Sequence, residues 1–186
     1  MKTLNPTLWR TCRVLAGVHR LELLRLTLLE PGQNVSQMAK RLGIGISDAS
    51  QELRRLQSRG LLRRTCQGRS VTFMPIPDPQ VPTAAPLLEV LKAALLRSRP
   101  DLAAFAGMAH ALGHERRIAL ATALRTGPLN RIALATHVHS CPETIDWHVK
   151  TMLDGGLVVR EGQGYALNPN CPPFLAALLR LIQPPE

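Results

Sequence analysis

The sequence predicts a mainly α-helical chain with small β-hairpins, an α+β fold laid out twice in tandem. Three observations lead there. The stretch ELRRLQSRGLLR at 52–63 returns as HVKTMLDGGLVV at 148–159, with the shared glycine displaced by 96 positions. Apolar residues recur every three or four positions through both regions, the period of a helix lying on a core. Each shared glycine is then followed by short runs of strand type around a glycine-containing turn.

The first copy supports this element by element. Leu21, Leu24 and Leu28 fall at i, i+3 and i+7, one face of a helix that Pro31-Gly32 stops. Ser36 reads as the N-cap of the next helix, whose apolar stripe is Val35, Met38, Ala39 and Leu42. LGIG at 42–45 is a tight turn. A third helix sets Ala49, Leu53 and Leu56 inward and Asp48, Gln51, Glu52, Arg54, Arg55 and Arg59 outward. Gly60 ends it in the manner of a left-handed cap. LLRRTC, QGR and SVTFMP follow as strand, turn and strand.

The second copy lines up on the first. NVSQMAKRL (34–42) meets NRIALATHV (130–138), and SDASQELRRLQSRGLL (47–62) meets ETIDWHVKTMLDGGLV (143–158). Upstream, RLELLRLTLL (20–29) meets RIALATALRT (117–126) after a one-residue shift. Two copies are too few for a solenoid, which needs at least ~3 repeats, and suit two tandem domains of one fold. Between them PIPDPQVPTAAP (75–86) holds five prolines in twelve residues and reads as an extended linker. LLEVLKAALLRS (87–98) reads as a helix, and Pro100 as the first residue of another. The tail from 172 reads as a short, nearly all-apolar helix that must be buried. The expected organisation is a first domain over 1–76, linker and connecting helices over 77–107, and a second domain over 108–186.

Composition narrows the function. The 186 residues carry a net charge of +10, with a pI near 10.7, which points to a polyanionic partner, most simply nucleic acid. Residues 1–96 hold 14 Lys and Arg against 6 Asp and Glu, a net +8, while residues 97–186 carry only +2. No run of 18 apolar residues and no leader-type N-terminus occurs, so a cytoplasmic chain without a membrane partner is expected. The four scattered cysteines read as reduced thiols.

A short helix, a glycine-containing turn and a second helix with a polar outer face form a helix-turn-helix signature, and the hairpin after it would be a wing. Both copies resemble the winged helix-turn-helix of the ArsR-like bacterial transcriptional regulators, over most of 8–76 and 108–168. In the recognition helix, copy two keeps Thr144, Ile145, His148 and Val149 of the family pattern. Copy one keeps Ser50 and Leu53, with Glu52 where His is usual. The resemblance implies double-stranded DNA as partner, recognition by the third helix, backbone contact by the wing, repression, a nucleoid-associated location and usually a homodimer.

Candidate DNA-binding residues are Ser47, Asp48, Gln51, Arg54, Arg55, Arg63, Arg64 and Arg69 in copy one, and Thr144, Trp147, His148 and Lys150 in copy two. Arg54, Arg55 and Gln51 are expected at base edges, and Arg63, Arg64 and Arg69 at phosphates. Glu143 and Asp146 would repel phosphates in copy two, although a carboxylate can accept from cytosine N4. Two arrangements follow. Either the copies meet half-sites about 34 Å apart as a covalent pseudo-dimer, or copy one reads DNA while copy two has become an interaction module. A winged-helix scaffold that binds protein rather than DNA is the alternative from another class.

Other signals read as structural. His137, His139 and Cys141 in HVHSC are metal-ligand types but fall in the helix–helix turn with no fourth ligand. His110 and His114 stand at i and i+4, but HERRI is not HExxH because its fifth residue is Ile118. Cys12 and Cys66 could pair only if the fold joined them. GQGY (162–165) lacks the length of a phosphate-binding loop, and no nucleophile elbow occurs. No enzyme activity, cofactor or metal is therefore expected.

Overall fold

The computed structural model of the chain describes residues 7–67 and 70–182. These are mainly helical, with two small antiparallel sheets. Two compact units divide the chain: Gly17–Leu102 form unit one, and Leu8–Ala16 join the residues from Ala103 onward in unit two.

Helix α1 (Leu8–Leu15) belongs to unit two. Unit one runs α2 (Val18–Leu29), α3 (Val35–Leu42), α4 (Ile46–Gln57), hairpin strands β1 (Arg63–Gln67) and β2 (Ser70–Met74), and α5 (Ala84–Leu95). Unit two continues with α6 (Leu102–Leu112), α7 (Glu115–Ala123) with a 3-10 turn (Leu124–Thr126), β3 (Leu129–Asn130), α8 (Arg131–His137), α9 (Pro142–Asp154), β4 (Val158–Glu161), β5 (Gly164–Leu167) and α10 (Pro173–Arg180).

The two cores use the same slots. Ala49, Leu53 and Leu56 on α4 are fully buried, and so are Ile145, Val149 and Met152 on α9, each 96 positions later. Met38 and Leu134, and Leu61 and Leu157, repeat the match. In both units the N-cap asparagine of the helix before the turn also pairs with the second hairpin strand. Asn34 bridges Thr72, and Asn130 stands opposite Gly164. In unit one the hairpin sets Arg63 opposite Met74 and Gln67 opposite Ser70. In each unit an arginine ties the helix after the hairpin. Arg25 Nε donates to the Leu95 carbonyl at 3.0 Å, and Arg125 Nη2 donates to the Leu179 carbonyl at 2.7 Å.

Several expectations change. The N-cap of α3 is Asn34, not Ser36. Its side chain accepts from the Gln37 amide at 2.9 Å while the Gln37 side chain accepts from the Asn34 amide at 2.9 Å, a reciprocal capping box. The proline-rich stretch is not a free tether. The Asp78 amide donates to the Gly60 carbonyl at 2.9 Å, Val81 is buried, and α5 starts at Ala84, so 75–95 form part of unit one. Pro86 lies in the first turn of α5, where its missing N–H leaves no intrahelical bond unmade. Helix α6 begins at Leu102 rather than at Pro100. Helix α1, which buries Thr11, Cys12 and Leu15, had no counterpart in the sequence reading. The apolar tail helix is α10, with Phe174, Leu175 and Leu178 buried.

The twin glycines differ in surroundings. Gly60 and Gly156 both hold left-handed backbone, at φ 74° and 72°. A Cβ at Gly60 would meet Val81 at 2.9 Å, whereas one at Gly156 meets nothing within 4 Å. Gly156→Ala is expected to cost about 1 kcal/mol from backbone strain alone. Gly60→Ala should cost clearly more, because strain and overlap add. Urea unfolding of both variants checks this; equal losses would contradict the packing of Val81 on the turn.

Candidate nucleic-acid interface

In unit one α3 ends in Gly43, whose φ of 66° reverses the chain, and the three-residue turn Gly43–Gly45 leads into α4. Because α4 gives Ala49, Leu53 and Leu56 to the core, its other side is forced outward. Ile46, Ser47, Asp48, Gln51, Arg54 and Arg55 are all exposed there, Ile46 to 58%.

This outer side borders a cleft of about 470 Å³. One wall is the start of α3 (Asn34, Val35, Ser36), another is α4 (Ile46, Ser50, Arg54), and the third is the hairpin (Arg64, Ser70, Val71). Two guanidiniums, three serine hydroxyls, an asparagine and three apolar side chains thus share one concavity. Arg63 lines a smaller hollow beside it with Gln57, Ile76 and Asp78. Arg54, Arg63 and Arg64 make no ion pair with any described residue. Arg55 differs: its Nη1 reaches Glu52 Oε1 at 2.6 Å, while Glu52 Oε2 takes Arg20 Nη1 at 2.7 Å. Arg69 lies outside the described residues. Asn34, Ser36, Ile46 and Ser70 are not among the DNA-binding candidates that the sequence offers. They come from three separate segments, and only the fold gathers them.

Unit two repeats the frame with another surface. His139, at φ 49°, stands 96 positions after Gly43 and holds the same left-handed turn. Among the described residues no group of three or more His, Cys, Asp or Glu is placed to hold a metal, and all four cysteines are free. On α9, Trp147 is 58% exposed, and Glu143, Asp146 and Lys150 are exposed with it. The charges are already spent within the unit. Arg131 reaches Glu143 at 3.2 Å and Asp146 at 3.0 Å, and Lys150 reaches Asp154 at 2.8 Å. Thr144 is half-buried, its Oγ1 sharing a 3.0 Å hydrogen bond with Cys141 Sγ.

His148 departs from the expectation of a groove contact. It is 2% exposed and turned inward, because it lies on the stripe formed by Ile145, Val149 and Met152. Its ring is 4.6 Å from that of His114 and 4.9 Å from that of Trp147. Burial first, then the nearby His114, Arg117 and Arg116, push its pKa down to about 4. His110 and His114 are lowered in the same direction, again chiefly by burial.

Comparison with family models, with curated proteins and with solved structures gives no match to this chain.

In the unfolded chain His148 regains an ordinary pKa near 6.5, so between pH 6.5 and 4 the unfolded state binds the extra proton. Stability from this group is therefore full above pH 6.5 and lost as pH falls toward 4. Chemical denaturation from pH 8 to pH 4 should show a shallower acid loss in His148→Leu than in the parent chain. Identical pH profiles would contradict the burial of a neutral imidazole.

Proposed function

We propose that this chain is a sequence-specific DNA-binding transcriptional regulator, a repressor by its resemblance to the ArsR-like regulators, acting on cytoplasmic duplex DNA as a binding protein rather than an enzyme. In this reading α3 and α4 with β1–β2, and α8 and α9 with β4–β5, are two winged helix-turn-helix domains. The observation that carries it is the charge state of the cleft in unit one. Arg54 and Arg64 line one concavity and Arg63 stands beside it, none neutralised by a described carboxylate. A phosphate chain supplies the missing negative charge at regular spacing.

The geometry suits a groove reader. At about 1.5 Å per residue, the 12 residues of α4 span roughly 18 Å, and a helix enters the major groove of about 12 Å width. Gln51 and Arg54 on its outer side are base-edge donors. Ile46 offers an apolar surface for a thymine methyl, and Arg63 and Arg64 serve the backbone.

For unit two a protein-interaction role is favoured, on one observation. Ile132 is 70% and Trp147 58% exposed, and the charges of α9 are closed into internal pairs. An exposed tryptophan among satisfied charges fits a protein surface better than a phosphate chain.

Fluorescence anisotropy on a labelled duplex pool over a salt series tests the division. Arg54→Ala and Arg64→Ala should each weaken binding by about tenfold or more and reduce the log–log salt slope by about 0.9. Lys150→Ala should leave both unchanged. An equal loss in the Lys150 variant, or none in the arginine variants, would overturn the assignment to unit one.

A further inference from the structure

Arg117 on α7 is 2% exposed and pairs with no carboxylate among the described residues. Its Nη2 donates to the His110 carbonyl at 2.7 Å, but the buried Nε and Nη1 donate to no described residue. Beside it His148 is equally buried, and its Nδ1 also has no partner among the described residues. The Trp147 ring centre lies 5.7 Å from the guanidinium carbon, and Trp9 packs 6.4 Å from His114. The other groups acting on this cluster are Arg13 from α1, His110 from α6, and His114, Glu115 and Arg116 at the start of α7. Glu115 is the one carboxylate among them, and it acts on His114. Burying an unpaired guanidinium is strongly unfavourable, and arginine cannot escape by losing its proton.

Unit one solves the same problem differently. Arg20 stands three residues after the cap of α2, as Arg117 does after the cap of α7. Glu52 and His148 stand seven residues after the caps of α4 and α9. Arg20 and Glu52 form a 2.7 Å ion pair. The second copy has the arginine too, with an imidazole where the first has a carboxylate.

We propose that unit two binds an oxyanion, the phosphate or carboxylate group of a small ligand, at Arg117, in the role the Glu52 carboxylate plays for Arg20. Nε and Nη1 donate to it, and a protonated His148 adds a third donor. Trp147, exposed on its outer side, covers the guanidinium and is the ring that must swing for entry. A bound anion favours the imidazolium forms of His148 and His114, so binding takes up protons and tightens as pH falls from 8 to 6.

The test uses the full chain and sodium sulfate, whose charge is fixed over this range, with sodium chloride holding ionic strength constant. Both tryptophans of the chain flank the cluster, so intrinsic fluorescence reads occupancy, and thermal unfolding reads stabilisation. Sulfate should change both saturably, more tightly at pH 6 than at pH 8. Arg117→Met should weaken sulfate about tenfold or more, the loss of a charged hydrogen-bonding partner. His148→Glu, which supplies an internal carboxylate, should be more heat-stable than the parent without sulfate and indifferent to sulfate. Parallel titrations with phosphate and acetate separate the two ligand chemistries, a phosphate-type group or a carboxylate. No saturable response to any of the three anions, or the same response in Arg117→Met, would overturn the site. If Arg117→Met does not fold, a parent-like sulfate response in His148→Glu would do so.

Discussion

The inner face of one helix in each unit is the constraint on which the rest depends. Ala49, Leu53 and Leu56 on α4, and Ile145, Val149 and Met152 on α9, must meet α2 and α3, or α7 and α8, to form a core. A helix of 12 or 13 residues cannot bury a stripe without presenting the opposite side to solvent. The hairpin then fixes what lies next to that side. The chain leaves each helix through a left-handed glycine, Gly60 or Gly156, and the second hairpin strand returns to pair with the segment just before α3 or α8. In unit one that closure brings the start of α3, the outer side of α4 and the hairpin round a single cleft.

Once the inner slots are held, the outer ones are free to diverge. Position 36 is Ser and its counterpart 132 is Ile; 51 is Gln and 147 is Trp; 54 is Arg and 150 is Lys. Unit one keeps arginines that no described acid neutralises, while unit two closes Arg131 and Lys150 onto Glu143, Asp146 and Asp154. The same divergence reaches inward at one place, where the Arg20–Glu52 pair becomes Arg117 beside His148. A buried guanidinium with an imidazole beside it, where the other copy has a carboxylate, is not explained by packing, since a buried unpaired charge destabilises a fold.

What was legible in the sequence is what burial dictates. The stripes of α4 and α9 and the glycine endings have a period, and a period is visible without coordinates. Caps were less so: Asn34 and Ser36 are both capping residues two positions apart, and only the bond to the Gln37 amide separates them. Helix α1 is hard to read, although Thr7 precedes it and Gly17 follows, because its buried stripe is only Thr11, Cys12 and Leu15. The prolines of 75–86 suggested a tether, but Val81 and the Asp78 amide dock the stretch on Gly60, a tertiary fact. His148 was set outside although it lies three residues after Ile145 and four before Met152. Its residue type outweighed its position on the stripe.

The central claim is that unit one, through its cleft, is the part that meets DNA. Amide chemical-shift mapping of the full chain with a duplex of about 20 base pairs, at low salt, asks this directly. The account predicts perturbations at Asn34–Gln37, Ile46–Arg55 and Arg63–Thr72, with α8 and α9 silent. Perturbations centred on Glu143–Lys150, or none anywhere, would contradict it.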